Sequence, residues 1–376
     1  MSEYLSTKYK NLVPYVPGEQ PKDRVYIKLN ANENPYPPHK NVIKAVKKTV
    51  TENSAKLGLY PDPDSTELRK EIARMLNETG GVLSNPSAKE KLNFKLTEEN
   101  IFCGNGSDEV LSFVFYTFFD SDRPLVLPNF TYSFYPVYCG YYNIPMNQIP
   151  LKEDWTLDKD KMLEMANKTD SAIIFANPNA PTGIALTTAE VEQMILAAPK
   201  DKVFIVDEAY YDFAEESCIP LLQKYKNLVV VRTFSKSLSF AGQRLGYVVA
   251  NPELIQSIFT VKNSFNHFPV DFITQNAAIA SCKNYKYYAE NAVKVKNERQ
   301  SLTEFLRKRN WFVIESQTNF IFVKHPVLSG KEVYENVKAK GILIRHFNTK
   351  GIENFVRITI GTKKQMDLLK AILEEI

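Results

Sequence analysis

Between residues 100 and 250 the chain repeats one pattern. A short, wholly apolar run leads into a polar or glycine-bearing turn, and several of the turns lead into a segment with helical spacing. The runs fall at 101–103, 125–127, 172–176, 203–206, 228–231 and 247–250, with helical segments between several of them, at 108–119, 158–167 and 187–197. A strand that is apolar throughout must be covered on both faces, and the intervening helices supply the cover. The expectation is an α/β fold whose large domain holds a mostly parallel sheet covered by helices. Ligands of such sheets bind beyond the carboxyl ends of the strands. The residues with chemical potential fall there each time: Gly104, Gly106, Ser107 and Asp108 after the first run, Tyr132 after the second, residues 177–183 after the third, Asp207 and Tyr210 after the fourth, and Ser235 and Lys236 after the fifth.

The flanks read differently. Residues 1–35 are polar and punctuated by proline, which lacks the N–H that helices and ladders need, so an extended arm is expected. A helix should follow at about 39–56, then a rigid turn at 59–64. A second helix is capped by Ser65 or Thr66 and has Leu68, Ile72 and Leu76 on its apolar face. Residues 79–97 read as loop. A long helical stretch, about 271–309, leads to a second α/β unit with strands near 320–323, 342–344 and 355–360 and a closing helix at 363–375. The organisation expected is an arm (1–35), a large domain (36–263) and a smaller C-terminal α/β domain (264–376).

Composition excludes several classes of function. The net charge is +4 and the basic residues are scattered, so nothing points to nucleic acid. No run of about 18 apolar residues occurs, and the first residues lack a basic segment followed by an apolar one, so neither a membrane span nor a secretory signal is expected. Cys103, Cys139, Cys218 and Cys282 are widely spaced and the four histidines are isolated, which argues against a disulfide framework and a metal site and for the cytoplasm.

A lysine becomes a nucleophile when its environment lowers its pKa or when it is held as an imine. Lys236, on a turn after a buried strand and followed by Arg244 and Gly246, suits an imine bond to an aldehyde cofactor that also carries a phosphate. Gly104 and Gly106 precede a helix, so backbone N–H groups and the helix dipole can face an anion, with Ser235 and Arg244 beside them. Asp207 ends a buried strand, where a carboxylate is costly without a cation, and a pyridinium nitrogen is such a cation. Tyr210 could reach the phenolic oxygen of the same ring and Tyr132 could stack on it. Singly, each has a plainer reading: a solvated lysine, a glycine turn, a helix cap, one more aromatic among many.

Taken in order, the set resembles the fold-type I pyridoxal-phosphate aminotransferases. Features at 12–15 with Pro17 and Gly18, at 30–35, 60–63 and 104–109, and Arg345 with 357–361 resemble the histidinol-phosphate aminotransferase branch. The likeness covers nearly the whole chain. It implies that Lys236 bonds the aldehyde of pyridoxal 5'-phosphate, that Asp207 pairs with the ring nitrogen and that Tyr210 meets the phenolic oxygen. Ser107, Asp108, Ser235 and Arg244 would hold the phosphate, and Tyr132 would cover the ring. It also implies a homodimer in which the arm packs against the small domain and the partner, and Tyr60 reaches the neighbouring site. Arg357, with Arg345 and Tyr15, would bind the anionic end of the substrate, since a guanidinium fork suits phosphate and carboxylate alike. The implied reaction is transamination of L-histidinol phosphate with 2-oxoglutarate, giving imidazole-acetol phosphate and L-glutamate in histidine biosynthesis.

Two positions depart from that pattern. Ala180 stands where the family usually has an asparagine that bonds the phenolic oxygen; Asn179, one residue earlier, should face the other way if the segment is strand. Residues 266–271 are more aromatic than the pattern leads one to expect. Other readings on this fold are an aromatic amino acid aminotransferase and a threonine-phosphate decarboxylase, and, from another class, a non-catalytic aminotransferase-like regulator.

Overall fold

A computed structural model describes residues 2–10, 12–15 and 18–376; Met1, Asn11, Val16 and Pro17, the last part of one motif above, lie outside the described residues. The arm carries one short strand, β1 (Ile27–Lys28), and then come α1 (Lys40–Thr51) and α2 (Thr66–Thr79). The next stretch alternates: β2 (Ile101–Gly104), α3 (Gly106–Phe118), β3 (Leu125–Pro128), α4 (Tyr135–Tyr142), β4 (Met146–Ile149) and α5 (Lys159–Thr169). It continues with β5 (Ala172–Ala176), α6 (Thr188–Ala197), β6 (Phe204–Asp207), β7 (Leu228–Thr233) and β8 (Gly246–Ala250). Three helices follow, α7 (Pro252–Phe265), α8 (Phe272–Lys283) and α9 (Tyr285–Arg307). The chain closes with β9 (Phe312–Val313), β10 (Phe320–Lys324), α10 (Gly330–Ala339), β11 (Ile342–Leu343), β12 (Arg345–His346), β13 (Phe355–Thr359) and α11 (Lys363–Leu373).

The large sheet has seven strands in the order β2-β8-β7-β6-β5-β3-β4. Its interior strands β5, β6 and β7 are buried at every position, as their apolar runs require. Neighbouring strands from β4 to β7 are parallel, while β8 runs against both β7 and β2. A smaller antiparallel sheet, β12-β13-β10-β9, forms the second unit, and β1 of the arm pairs in parallel with β11.

The helix starts follow local chemistry. Thr187 with Glu190, Ser329 with Glu332 and Thr362 with Gln365 form reciprocal caps at α6, α10 and α11. The expected cap of α2 is corrected: Ser65 stands at the N-cap with φ +51 and makes no side-chain cap bond, and the Asp62 carboxylate accepts from the Thr66 N–H instead (2.6 Å). The loop expected at 79–97 contains a 3-10 turn (Pro86–Lys91) and buries Val82, Leu83, Ala88 and Leu96. The long helical stretch is two helices, broken at Asn284.

The cores divide later than residue 263, which lies inside α7. Ala277, Ala278, Cys282 and Tyr288 belong to the core built on α1, α2 and the large sheet, whereas Ala292 and Val295 belong to the core of the small sheet. The change falls within α9. The arm supplies Leu29 to the small-sheet core.

Candidate active site

The carboxyl ends of β5, β6 and β7 lie side by side. Because β8 is reversed, its first residue, Gly246, comes to the same edge, opposite Gly104 of β2 and Thr233 of β7. That reversal returns Arg244 to the end of the sheet where Lys236 lies. The Arg244 guanidinium donates to one oxygen of Asp108 (2.9 Å), and the Tyr132 hydroxyl donates to the other (2.6 Å). A carboxylate has no proton to offer an anion; Asp108, in the first turn of α3, instead orients the Arg244 guanidinium and the Tyr132 hydroxyl. The backbone here must be bare: Gly106 has φ +79, and a Cβ on it would fall on the Arg244 guanidinium. Ser107, next in the turn, has its N–H against Gly246. Ser235 is buried beside this turn, its N–H bonded to the Thr233 hydroxyl (3.1 Å).

Asp207 ends β6 and is buried. It accepts from the Tyr135 hydroxyl (2.7 Å) and the Ala209 N–H (3.1 Å). Burial pushes its pKa up to about 6 in spite of those two bonds. The Tyr132 ring meets Tyr135 edge-on at 5.5 Å, and burial, with Asp108 alongside, holds the Tyr132 hydroxyl firmly protonated.

The Lys236 turn is pinned from beneath. The Asn34 amide donates to the carbonyls of Lys236 (3.0 Å) and Ser237 (2.9 Å), while the Ser237 hydroxyl donates to buried Asp212. The amine itself rests 3.3 Å from the Ala31 carbonyl and 5.7 Å from the Tyr210 ring centre. The Tyr210 hydroxyl accepts from the Asn32 amide (2.8 Å), and its ring meets Phe320 edge-on at 5.1 Å.

Phe320 also carries the other half of the site, for the Arg357 guanidinium lies 5.1 Å from its centre. Arg345 and Arg357 are directly paired across β12 and β13. Burial lowers the Arg357 pKa, Arg345 adds to the lowering, and Tyr210 and Tyr15 are close enough to oppose it. The Arg357 Nε is a buried donor with no acceptor among the described residues. Tyr15, from the arm, lies 5.3 Å from Phe134.

The fold thus brings Ser107, Asp108, Tyr132, Asp207, Tyr210, Ser235, Lys236 and Arg244 to one sheet edge, with Tyr15, Arg345 and Arg357 facing them from the arm and the small sheet. Tyr60 is not among them: it is exposed and stacks at 4.6 Å on Phe268, within the aromatic segment 266–271. Sequence reasoning missed Tyr135, Asn34 and Asn32. Tyr135 was hidden among the aromatics at 130–135, and the asparagines sit in a proline-rich arm where only the fold shows what they touch. Asn179 is not on a strand. It bonds the Thr131 hydroxyl (2.9 Å) and the Phe130 carbonyl (2.9 Å), away from Tyr210, and Ala180 packs in the apolar cluster that includes Tyr210.

The profile of the family described as Aminotransferase class I and II matches residues 24–373. Over 373 residues the chain is 45% identical to a histidinol-phosphate aminotransferase of Syntrophus aciditrophicus, covering 99% of this chain and 97% of that one. The chain belongs to the class I and II aminotransferases. A histidinol-phosphate aminotransferase of Clostridium beijerinckii is 41% identical over 369 residues, covering 98% of this chain and 96% of its own. The crystal structure of histidinol-phosphate aminotransferase from Sinorhizobium meliloti in complex with pyridoxal-5'-phosphate superimposes with a TM-score of 0.85 at 23% identity, over 100% of this chain and 98% of that one. The fold is therefore the aspartate-aminotransferase-like α/β fold, and the enzyme is an aminotransferase dependent on pyridoxal phosphate.

The residues fit that cofactor. Asp207 is a buried carboxylate that meets no cation within hydrogen-bonding reach among the described residues, as a pyridinium partner must be. The bare turn at Gly106, the α3 N-terminus and Arg244 stand at the same sheet edge and suit its phosphate. Among the described residues no cluster could hold a metal ion, and no helix is long and apolar enough to cross a membrane.

Proposed function

We propose that this aminotransferase moves the amino group of L-histidinol phosphate to 2-oxoglutarate, yielding imidazole-acetol phosphate and L-glutamate in histidine biosynthesis. The observation that carries the reading is the Arg345–Arg357 pair with its unsatisfied Nε, a fork that can take a phosphate in one half-reaction and a carboxylate in the other. The near-full-length identity to relatives of that name supplies the amino donor.

Bound pyridoxal phosphate would supply an aldehyde for the amino group and a ring that withdraws electrons. Lys236 would be the residue that holds the aldehyde in the resting enzyme, and its free amine would take up and give back the substrate Cα proton. Asp207 would keep a negative charge at the ring nitrogen. Tyr210 would donate its hydroxyl to the phenolic oxygen. Ser107, Asp108, Ser235 and Arg244 would hold the phosphate end, and Tyr132 would cover the ring. Arg357, Arg345 and Tyr15 hold the substrate's anionic end.

The working unit is inferred to be a homodimer. Support comes from the exposed apolar side chains of Leu57, Leu59, Tyr60 and Phe265. Four buried free thiols suit a reducing compartment, the cytoplasm.

The direct test follows the absorbance of the bound cofactor after adding histidinol phosphate, phenylalanine, tyrosine, threonine phosphate or glutamate. Histidinol phosphate and glutamate should convert it; a faster response to phenylalanine, or carbon dioxide released from threonine phosphate, overturns the assignment. Lys236→Ala should lose both the visible band and turnover. Mixing Lys236→Ala with Tyr60→Ala subunits should restore part of the activity, because one site of the mixed dimer is then intact. No recovery would remove Tyr60 from the neighbour's site.

A further inference from the structure

We infer that Asn32 is a positioning residue that sets the direction of the Tyr210 hydroxyl proton, and that Thr359 holds Asn32 in place. The Asn32 side chain is buried between three segments: the arm that carries it, β13 and the turn after β6. Its amide nitrogen donates to the Tyr210 hydroxyl at 2.8 Å and its amide oxygen accepts from the Thr359 hydroxyl at 3.1 Å. The Asn32 backbone N–H donates to the Thr359 oxygen at 3.0 Å, and the Asn32 carbonyl accepts from the Asn319 amide at 2.9 Å.

This network has one consistent orientation. The Thr359 hydroxyl oxygen already takes the Asn32 N–H, and among the described residues its proton has only the Asn32 amide oxygen as acceptor. Turning the amide over would strand that proton and set a second donor against the same oxygen. So Asn32 faces Tyr210 with N–H, and Tyr210 must accept there. The tyrosine proton is thereby sent elsewhere, and it meets no acceptor among the described residues. The Lys236 amine lies 5.7 Å from the centre of the same ring. The charged groups bearing on Tyr210 are Lys236 and Arg357, and neither can accept a proton while charged. Asn32 has φ +56, a region asparagine tolerates better than most residues. Arg357 and Thr359 stand on alternate positions of β13, so the strand that presents the substrate's arginine also anchors this relay. Ala180 has no side-chain amide to offer, and among the described residues Asn32 is the side-chain amide bonded to Tyr210.

The inference rests on Lys236 holding the cofactor and Tyr210 facing its phenolic oxygen. The experiment is a pH titration of the visible band of the holoenzyme, with thermal stability recorded alongside. A donated O–H favours the deprotonated form of that chromophore, so losing it raises the apparent pKa. Asn32→Gly, which keeps the backbone conformation accessible, should raise it by about 0.5–1 pH unit, the size of one neutral hydrogen bond. Thr359→Val should do the same and Thr359→Ser should restore the wild-type value. In a Tyr210→Phe background, Asn32→Gly should add no further shift. An unchanged pKa in both Asn32→Gly and Thr359→Val, or an equal shift with Phe at 210, overturns the proposal, even if stability falls. A wild-type protein without a pH-dependent visible band would instead overturn the reading of Lys236.

Discussion

Replacing Asp207 by asparagine should cut activity severely yet leave the cofactor-free protein at least as stable as the wild type. The carboxylate is buried, and its two hydrogen bonds do not offset the lost hydration, so its pKa rises from the ordinary 3.8 to about 6. At 1.36 kcal/mol per pH unit that gap is roughly 3 kcal/mol of cost to the folded state once the group is ionised. The sign follows from proton binding. Below about pH 3.8 the folded and unfolded forms are both protonated and the term vanishes. Between 3.8 and 6 the unfolded chain has released its proton while the folded one retains it, so stability falls as pH rises, and above about 6 the full cost is present. Asparagine keeps an oxygen for the Ala209 N–H and turns its amide towards Tyr135, whose hydroxyl can accept. Urea unfolding of the cofactor-free proteins at pH 4 and pH 8 isolates the term, because buried Asp212, also raised to about 6, is common to both. The variant should match the wild type at pH 4 and exceed it at pH 8. With cofactor present, loss of a buried charge partner worth about 3–5 kcal/mol should lower kcat/KM by roughly two to four orders of magnitude. A variant that is less stable at pH 8 by the same amount as at pH 4 would refute the burial argument.

Gly106→Ala places a methyl group against the Arg244 guanidinium at φ +79, and the backbone strain alone is about 1–2 kcal/mol. Cofactor affinity, read by absorbance titration, should fall about tenfold or more. Arg357→Lys exchanges a fork for a point charge; KM should rise roughly ten- to a hundredfold for both the phosphorylated amine and the keto acid, with a smaller change in kcat. Beneath the site, Arg232 is wholly buried and paired to Glu208 at 2.5 Å. Glu208→Gln should therefore cost about 3–5 kcal/mol, seen as a lower urea midpoint even without cofactor.

Much of this site was legible in the chain. Short continuous apolar runs such as 172–176 and 228–231, bounded by turn residues, read as buried strands, and ligands of such sheets bind beyond their carboxyl ends. That Asp207, Tyr210, Lys236 and the Gly106 turn stand at strand ends was legible in this way. Elements that break the pattern were not. The edge strand β4 exposes Met146 and has polar Asn147 and Gln148, so it carries no buried-strand signal. Helix α4 opens on Tyr135 and Pro136 amid aromatics, and α7 was passed over although Asn251 and Pro252 are a proper start. The cores divide within α9 and not near 263 because α8 packs with the large-sheet core, which periodicity does not reveal.

By itself the sequence determined which residue types stand at the strand ends, because burial of a strand and the chemistry after it are both local in the chain. The tertiary structure decided which of them meet. Arg244 reaches the cradle only because β8 runs backwards, and Arg345 faces Arg357 only through strand register. The Asn32 amide meets Tyr210 across 178 positions of chain, a contact made by packing the arm between two sheets. Such contacts depend on the direction and register of distant segments, which hydrogen bonds and burial fix only when the whole chain is folded.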